Sequence, residues 1–188
     1  MSLSFTESHG HWTVDALRRL PEDELHRYEI DDGVLIVSPR PASPHQVASL
    51  QLAMALHGPA RATGLAVVQE VEVVTHRRDD WLKVPDLVVV SLDALQSEPQ
   101  EYEAADVMLA VEISGNRQSR NRDFGEKLEA YAEAGIPHYW IAELSPSPRL
   151  TVFELADAGA YREVVVSEGP VKLTQPFAVE VDPARFRD

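Results

Sequence analysis

Two short, almost uninterrupted apolar runs constrain this chain more than any other feature: Leu87–Val90, and Val107–Ile113, in which only Glu112 is charged. Runs of this length without alternation are expected of strands buried on both faces, as in the middle layer of an α/β fold. Each run is marked by one acid. Asp86 stands directly before the first, after Pro85, and Glu112 sits at the end of the second. A carboxylate in such surroundings persists only when it is paired, hydrogen-bonded or bound to a cation. Two acids on neighbouring core strands therefore point to a shared ligand.

The 188 residues are expected to form a single domain, residues 1–188, with a core large enough to need no disulfide or structural metal. Cysteine is absent, which excludes disulfides, thiolate metal sites and cysteine nucleophiles. Any metal must be held by oxygen or imidazole. The 17 Lys and Arg against 31 Asp and Glu leave a net charge of −14, which argues against a tight, sequence-independent nucleic-acid-binding module. A metalloenzyme is less constrained, because a bound divalent ion inverts the local potential. Residues 1–12 lack the basic start and apolar stretch of a signal peptide, and no segment approaches the roughly 20 apolar residues of a membrane helix. A cytoplasmic protein is the expectation.

Around the two runs, helical and strand patterns alternate. An amphipathic helical region is expected over 13–26 (Val14, Leu17, Leu20, Leu25), interrupted by Pro21. Tyr28–Ile30 and Val34–Val37, joined by Asp31-Asp32-Gly33, have the pattern of a β-hairpin carrying one acid, Glu29. Ser43 as N-cap and Pro44 at the first helical position open a long helix toward Gly64, which Pro59 would end or bend early. Leu65–Val74 and Val84–Val90 read as strands, 93–106 as a polar loop and 114–121 as a flexible polar loop. A helix over 122–134 is stopped by Gly135. Strands are expected over 137–144, 150–155 and 161–166, followed by a weakly patterned tail.

On the 122–134 helix, Asp123 and Lys127 are four residues apart, and Phe124, Leu128 and Tyr131 define the packed face. Lys127 flanks that face and can reach toward Glu112, where its charge would orient water or offset charge on a phosphorane-like transition state. An exposed ion pair with Asp123 or Glu126 is the plainer fate for such a lysine. Magnesium or manganese is the ion that the two strand acids would hold, since both prefer oxygen ligands.

Several anchors occur in a fixed order: Tyr28-Glu29 with the Asp-Gly hairpin, Ser38-Pro39 with His45, Pro85-Asp86, and Val111-Glu112-Ile113-Ser114. After them come Asp123 with Glu126-Lys127 and Tyr131, then Gly135-Ile136-Pro137 with Tyr139-Trp140-Ile141. In this the chain resembles the Uma-two family of endonucleases, a branch of the PD-(D/E)XK restriction-endonuclease-like superfamily. The resemblance implies an α/β fold with a mixed β-sheet core flanked by helices, and additional antiparallel strands. It also implies a magnesium- or manganese-dependent endonuclease cleaving phosphodiester bonds, with nucleic acid, DNA in the first instance, as partner, acting as a homodimer. Carried over by position, Asp86 and Glu112 resemble the metal ligands, Lys127 the water-orienting residue, and Glu29 the acid that completes the catalytic set. His45 matches a recurrent position, and with Ser114, Arg117, Arg120 and Arg122 it is a candidate for substrate contact.

Two departures stand out. In the superfamily's usual pattern the lysine lies two residues after the second acid; here that position is Ser114, and Lys127 on the following helix resembles its replacement. The 114–121 segment is also longer and richer in arginine than the turn of many relatives. Two other functions use the same residues. A catalytically silent binding or regulatory module would suit the acidic composition, and a glycosidase-type carboxylate pair would need neither a central lysine nor a metal.

Overall fold

The computed structural model describes residues 3–5 (backbone only), 10–21, 23, 25–75 and 81–188. In chain order the elements are β1 (Leu3–Phe5), α1 (Val14–Leu17), β2 (His26–Asp31), β3 (Val34–Pro39), α2 (Ser43–Ala62), β4 (Leu65–Gln69) and β5 (Val73–Val74). Next come β6 (Leu82–Lys83), β7 (Leu87–Ser91), α3 (Leu92–Gln96), β8 (Tyr102–Glu103), β9 (Val107–Ser114), α4 (Arg117–Asp123) and α5 (Glu126–Glu133). The chain ends with β10 (His138–Glu143), β11 (Arg149–Leu155), β12 (Tyr161–Ser167), β13 (Val171–Leu173) and β14 (Val179–Val181).

Among the described residues, one six-stranded sheet has the order β12-β11-β10-β9-β7-β4 and a second the order β1-β3-β2-β6-β5-β8, with β13 and β14 as a separate pair. In the first sheet β9 and β10 run parallel while the other neighbours are antiparallel. A parallel pair needs a crossover connection, and α4 and α5 supply it. The two apolar runs become β7 and β9 at the centre of this sheet, covered on both faces. Leu87 and Val89 face Leu52, Leu56 and Ala60 of α2. Val88 and Val90 face the opposite side with Ala110, Tyr139 and Tyr131 of α5. The two-residue period of β9 then sends Glu112 and Ser114 to the α4–α5 side with Ala110.

The hairpin forms as its sequence implies, with Asp32 at φ 47° and Gly33 at φ 72°, both positive as a type I′ turn requires. Elsewhere local chemistry shifts the expected elements. The helical region over 13–26 is realised only as α1. Pro21 disfavours the α conformation in the residue before it, Leu20 and Leu25 remain exposed, and positions 22 and 24 lie outside the described residues. Helix α2 starts earlier than expected, with Ala42 as its cap and no side-chain cap bond, so Ser43 is not the N-cap. Pro59 does not end it: the last turn continues to Ala62, held by the fully buried Leu56 and Ala60.

The expected strand over 65–74 is two strands in different sheets, β4 and β5, with Glu70 at φ 52° between them. Likewise 84–90 is not one strand. Pro85 has no N–H to give a ladder, and the chain passes there from β6 in one sheet to β7 in the other. The 93–106 loop contains α3 and β8. The segment over 114–121 is no flexible loop, since α4 begins there with a capping box: Asn116 accepts from the backbone of Gln118 and Ser119, and Ser119 Oγ accepts from Asn116 N. The 122–134 helix is broken at Gly125, where a Cβ would lie 2.9 Å from the Asn121 carbonyl oxygen. The tail supplies β13, β14 and a 3₁₀ turn over Pro183–Arg187. No helix of the described residues is long and apolar enough to cross a membrane.

Candidate active site

The sheet change at Pro85 leaves Asp86 where the two sheets meet, and this junction gathers side chains from distant parts of the sequence. Asp86, 2% exposed, lies between them. From β2, Arg27 donates Nη1–H to Asp86 Oδ1 at 2.8 Å. From β9, the backbone N–H of Ile113 donates to Asp86 Oδ2 at 2.7 Å. From the first turn of α2, His45 Nε2 stands 2.9 Å from the same oxygen. Arg27 and Glu29 are two residues apart on β2 and share a face, so the same strand that positions Asp86 also delivers a second acid.

Lys127 is the hub. Its ammonium is 2.7 Å from Glu112 Oε1 and 3.0 Å from Glu29 Oε1, with the residue only 5% exposed. The exposed helix pair that Lys127 could have formed is therefore not what the fold builds. Tyr131, one turn further along α5, donates its hydroxyl to Glu112 Oε1 at 2.7 Å. Glu29 also accepts from Val84 N at 3.1 Å and from Arg122 at 2.5 Å. Asp123 is buried and accepts from Ser114 Oγ at 2.5 Å.

Four buried carboxyls (Glu29, Asp86, Glu112, Asp123) thus meet three permanent cations, Arg27, Arg122 and Lys127. Burial would raise Glu29, but the charges of Lys127, Arg122 and Lys83 hold it well below the usual carboxylate range. Burial likewise opposes Asp86, yet the His45 hydrogen bond and the charges of His45, Arg27 and Lys127 keep it low. Glu112 goes the other way. Burial, only partly opposed by Lys127 and reinforced by Asp86, Asp123 and Glu29, pushes it up to about 8. Burial also raises Asp123. Burial alone would lower Lys127, and the charges of Glu112, Glu29 and Asp123 override it and raise Lys127 further. The raised pKa values of Lys127 and Glu112 conflict only if the two are read as an isolated ion pair. Lys127 is shared between Glu112 and Glu29, and burial with the neighbouring charges of Asp86, Asp123 and Glu29 raises Glu112 although the lysine stands beside it.

All of these groups line or border one cleft of about 910 Å³. Of the residues singled out in the sequence, Asp86, Glu112, Lys127, Glu29, His45 and Arg122 line it directly, and Ser114 stands behind Asp123. Arg117 is exposed and does not line it. Arg120 turns away to the buried Glu143, at 2.5 Å, and over the Phe124 ring. The sequence reading missed Arg27, the hydroxyl of Tyr131 and the bond between Ser114 and Asp123. The spacing of Arg27 and Glu29 on one hairpin strand was the available signal for the first. Nothing local marked Tyr131 as more than a packing residue.

Among the described residues no three His, Asp or Glu side chains stand in metal-binding arrangement. The donor chemistry nonetheless fits magnesium or manganese, which need only one or two carboxylates and otherwise keep water or substrate oxygens. Asp86 is bonded to the peptide N–H adjacent to Glu112, and Glu112 retains a proton that a divalent ion would replace.

The comparisons agree with this architecture. No curated protein matches the sequence. The model of the Uma2 family, described as "Putative restriction endonuclease", matches residues 14–182. A crystal structure described as that of "a putative nuclease belonging to DUF820", from Anabaena variabilis ATCC 29413, is similar with a TM-score of 0.72 and 17% sequence identity, over 93% of this chain and 96% of that one. The sheet with its parallel β9–β10 pair and the helices on both its faces are thus those of a restriction-endonuclease-like α/β fold, and the chain belongs to the Uma2 family.

Proposed function

We propose that this protein is a divalent-metal-dependent endonuclease that hydrolyses phosphodiester bonds, with DNA as the expected substrate. Family membership and fold support a nuclease. The observation that carries the finer reading is the seat of Lys127: a lysine buried between two acids, lining a cleft that also holds Asp86. Asp86 and Glu112 would hold the magnesium or manganese ion, which when bound lowers the pKa of water and polarises a phosphoryl oxygen. Arg27 and the Ile113 N–H fix both oxygens of Asp86, and Tyr131 fixes Glu112. Lys127 stays protonated and presents a preorganised positive charge to the phosphate oxygens, where negative charge grows in the transition state. Glu29, with Arg122, holds the Lys127 ammonium in place.

A catalytically silent module is the second reading, favoured by the full internal pairing of Asp86 with Arg27, His45 and Ile113 N. One assay separates them: plasmid, single-stranded DNA and RNA, each incubated with magnesium, manganese or chelator, beside Lys127→Ala. Cleavage that needs the ion and the lysine supports the nuclease. No cleavage of any polynucleotide under any condition leaves the silent module. Sedimentation of the full chain tests the homodimer that the family resemblance implies.

A further inference from the structure

The charge of the cleft is unlike that of the rest of the molecule. Five cations line it among the described residues, Arg27, Arg40, Arg122, Lys127 and Arg187, against the four acids already described. The remaining sequence carries 12 cations and 27 acids. By formal charge the cleft is therefore slightly positive, in a chain whose other residues sum to −15. Outer cations are matched by acids of their own, Arg18 by Glu72 and Glu101, and Arg120 and Arg149 by Glu143, while at the cleft's mouth Arg27 and Arg40 share Glu70. A duplex is a stiff rod with phosphates along its whole outside, and seating it would press those phosphates against the acidic exterior.

Depth points the same way. Glu29, Asp86, Glu112 and Lys127 are each 5% exposed or less. A phosphate that reaches them must enter the cleft, which a flexible single strand does more readily than the convex backbone of a duplex. Cavities of roughly 300–1,000 Å³ enclose ligands of drug size, so about 910 Å³ takes a short stretch of one strand. At the rim, Arg40 from the end of β3 and Arg187 from the C-terminal turn are exposed while lining the cleft. No Phe, Tyr or Trp lines it among the described residues, so the strand is held through its backbone and not by ring stacking.

We propose that the cleft takes a single-stranded polynucleotide, with Arg40 and Arg187 holding phosphates next to the one presented to Lys127. The proposal rests on the nuclease reading of the site and adds the class of substrate to it. Neither the cleft's lining nor its charge distinguishes DNA from RNA, and both are arms of the test.

The test measures binding separately from cleavage. Fluorescence anisotropy of the full chain in chelator uses a short fluorescein-labelled DNA strand, the RNA of the same sequence and the DNA duplex. A single strand should bind more tightly than the duplex. Single-strand affinity falls with salt by a logarithmic slope of about 0.7 per neutralised phosphate. Arg40→Gln and Arg187→Gln should each remove about one such contact, so together they shrink the loss between about 50 and 200 mM salt by about sevenfold. Arg61→Gln, the same charge change on α2 away from the cleft, should leave the slope as in the parent. A duplex bound as tightly as either strand, a slope unchanged in the double variant, or no binding to any strand overturns the proposal. Cleavage in manganese distinguishes the two failures: duplex cut in preference to single strand sinks this inference and spares the nuclease, whereas single strands bound but never cut sink the nuclease and spare the cleft's preference.

Discussion

Replacing Glu112 by Gln isolates the carboxyl of the cluster that burial pushes up to about 8. The amide keeps an oxygen for Lys127 and Tyr131 at nearly constant volume but cannot ionise. In the folded chain Glu112 keeps its proton up to about 8, against an ordinary value of 4.5. Between those values the folded state binds a proton that the unfolded chain has lost. This contribution to stability is fully present below 4.5, falls as pH rises, and is gone once pH passes about 8. The slope approaches about 1.4 kcal/mol per pH unit and flattens near 8, so from pH 6 to 8 the parent should lose about 2 kcal/mol. For a domain of this size that corresponds to a fall of about 4–8 °C in melting temperature. Thermal unfolding followed by circular dichroism, in chelator and at several pH values from 6 to 9, should show that fall in the parent and its absence in Glu112→Gln. Melting curves that run parallel across this range in the two proteins would refute the reasoning, because Glu112 would then be an ordinary ionised partner of Lys127.

The other expectations follow from the same contacts. Lys127→Ala should keep the melting-temperature response to magnesium while cleavage falls by about 10²-fold or more, measured under single-turnover conditions. Asp86→Asn should lose about 2–3 kcal/mol in chelator, because its charge-assisted bonds from Arg27 and Ile113 N weaken. It should also lose the stabilisation that magnesium gives the parent, about 2.7 kcal/mol at a hundredfold excess over Kd, read from melting curves with and without the ion. Tyr131→Phe removes one of two donors to a buried oxygen and should cost about 1–2 kcal/mol in urea unfolding without altering the fold.

Features that depend on near neighbours could be read from the residue order. Leu87–Val90 and Val107–Ile113 read as doubly buried strands because apolarity without alternation has few other outcomes, and Asp32-Gly33 marked its hairpin because only certain residues take positive φ. Asp86 and Glu112 stood out as charges placed against apolar stretches and Lys127 as one flanking a packed helix face, while Glu29 joined them as a candidate through the family resemblance. Segment 114–121 was misread for a local reason too: α4 is polar all round, so its one signal was the capping pair Asn116 and Ser119 and not a hydrophobic period.

How the charges balance depends on contacts between distant elements. Arg27 meets Asp86 across 59 residues and Arg122 meets Glu29 across 93, contacts created by the sheet change at Pro85 and the break at Gly125. A lone lysine for three acids, as the sequence presents it, becomes three cations for four. Which carboxyl keeps its proton then depends on burial and on distances of a few ångströms. Spacing along a chain encodes the faces of strands and helices, but the Coulomb energy of a buried group is set by whichever elements the fold brings beside it.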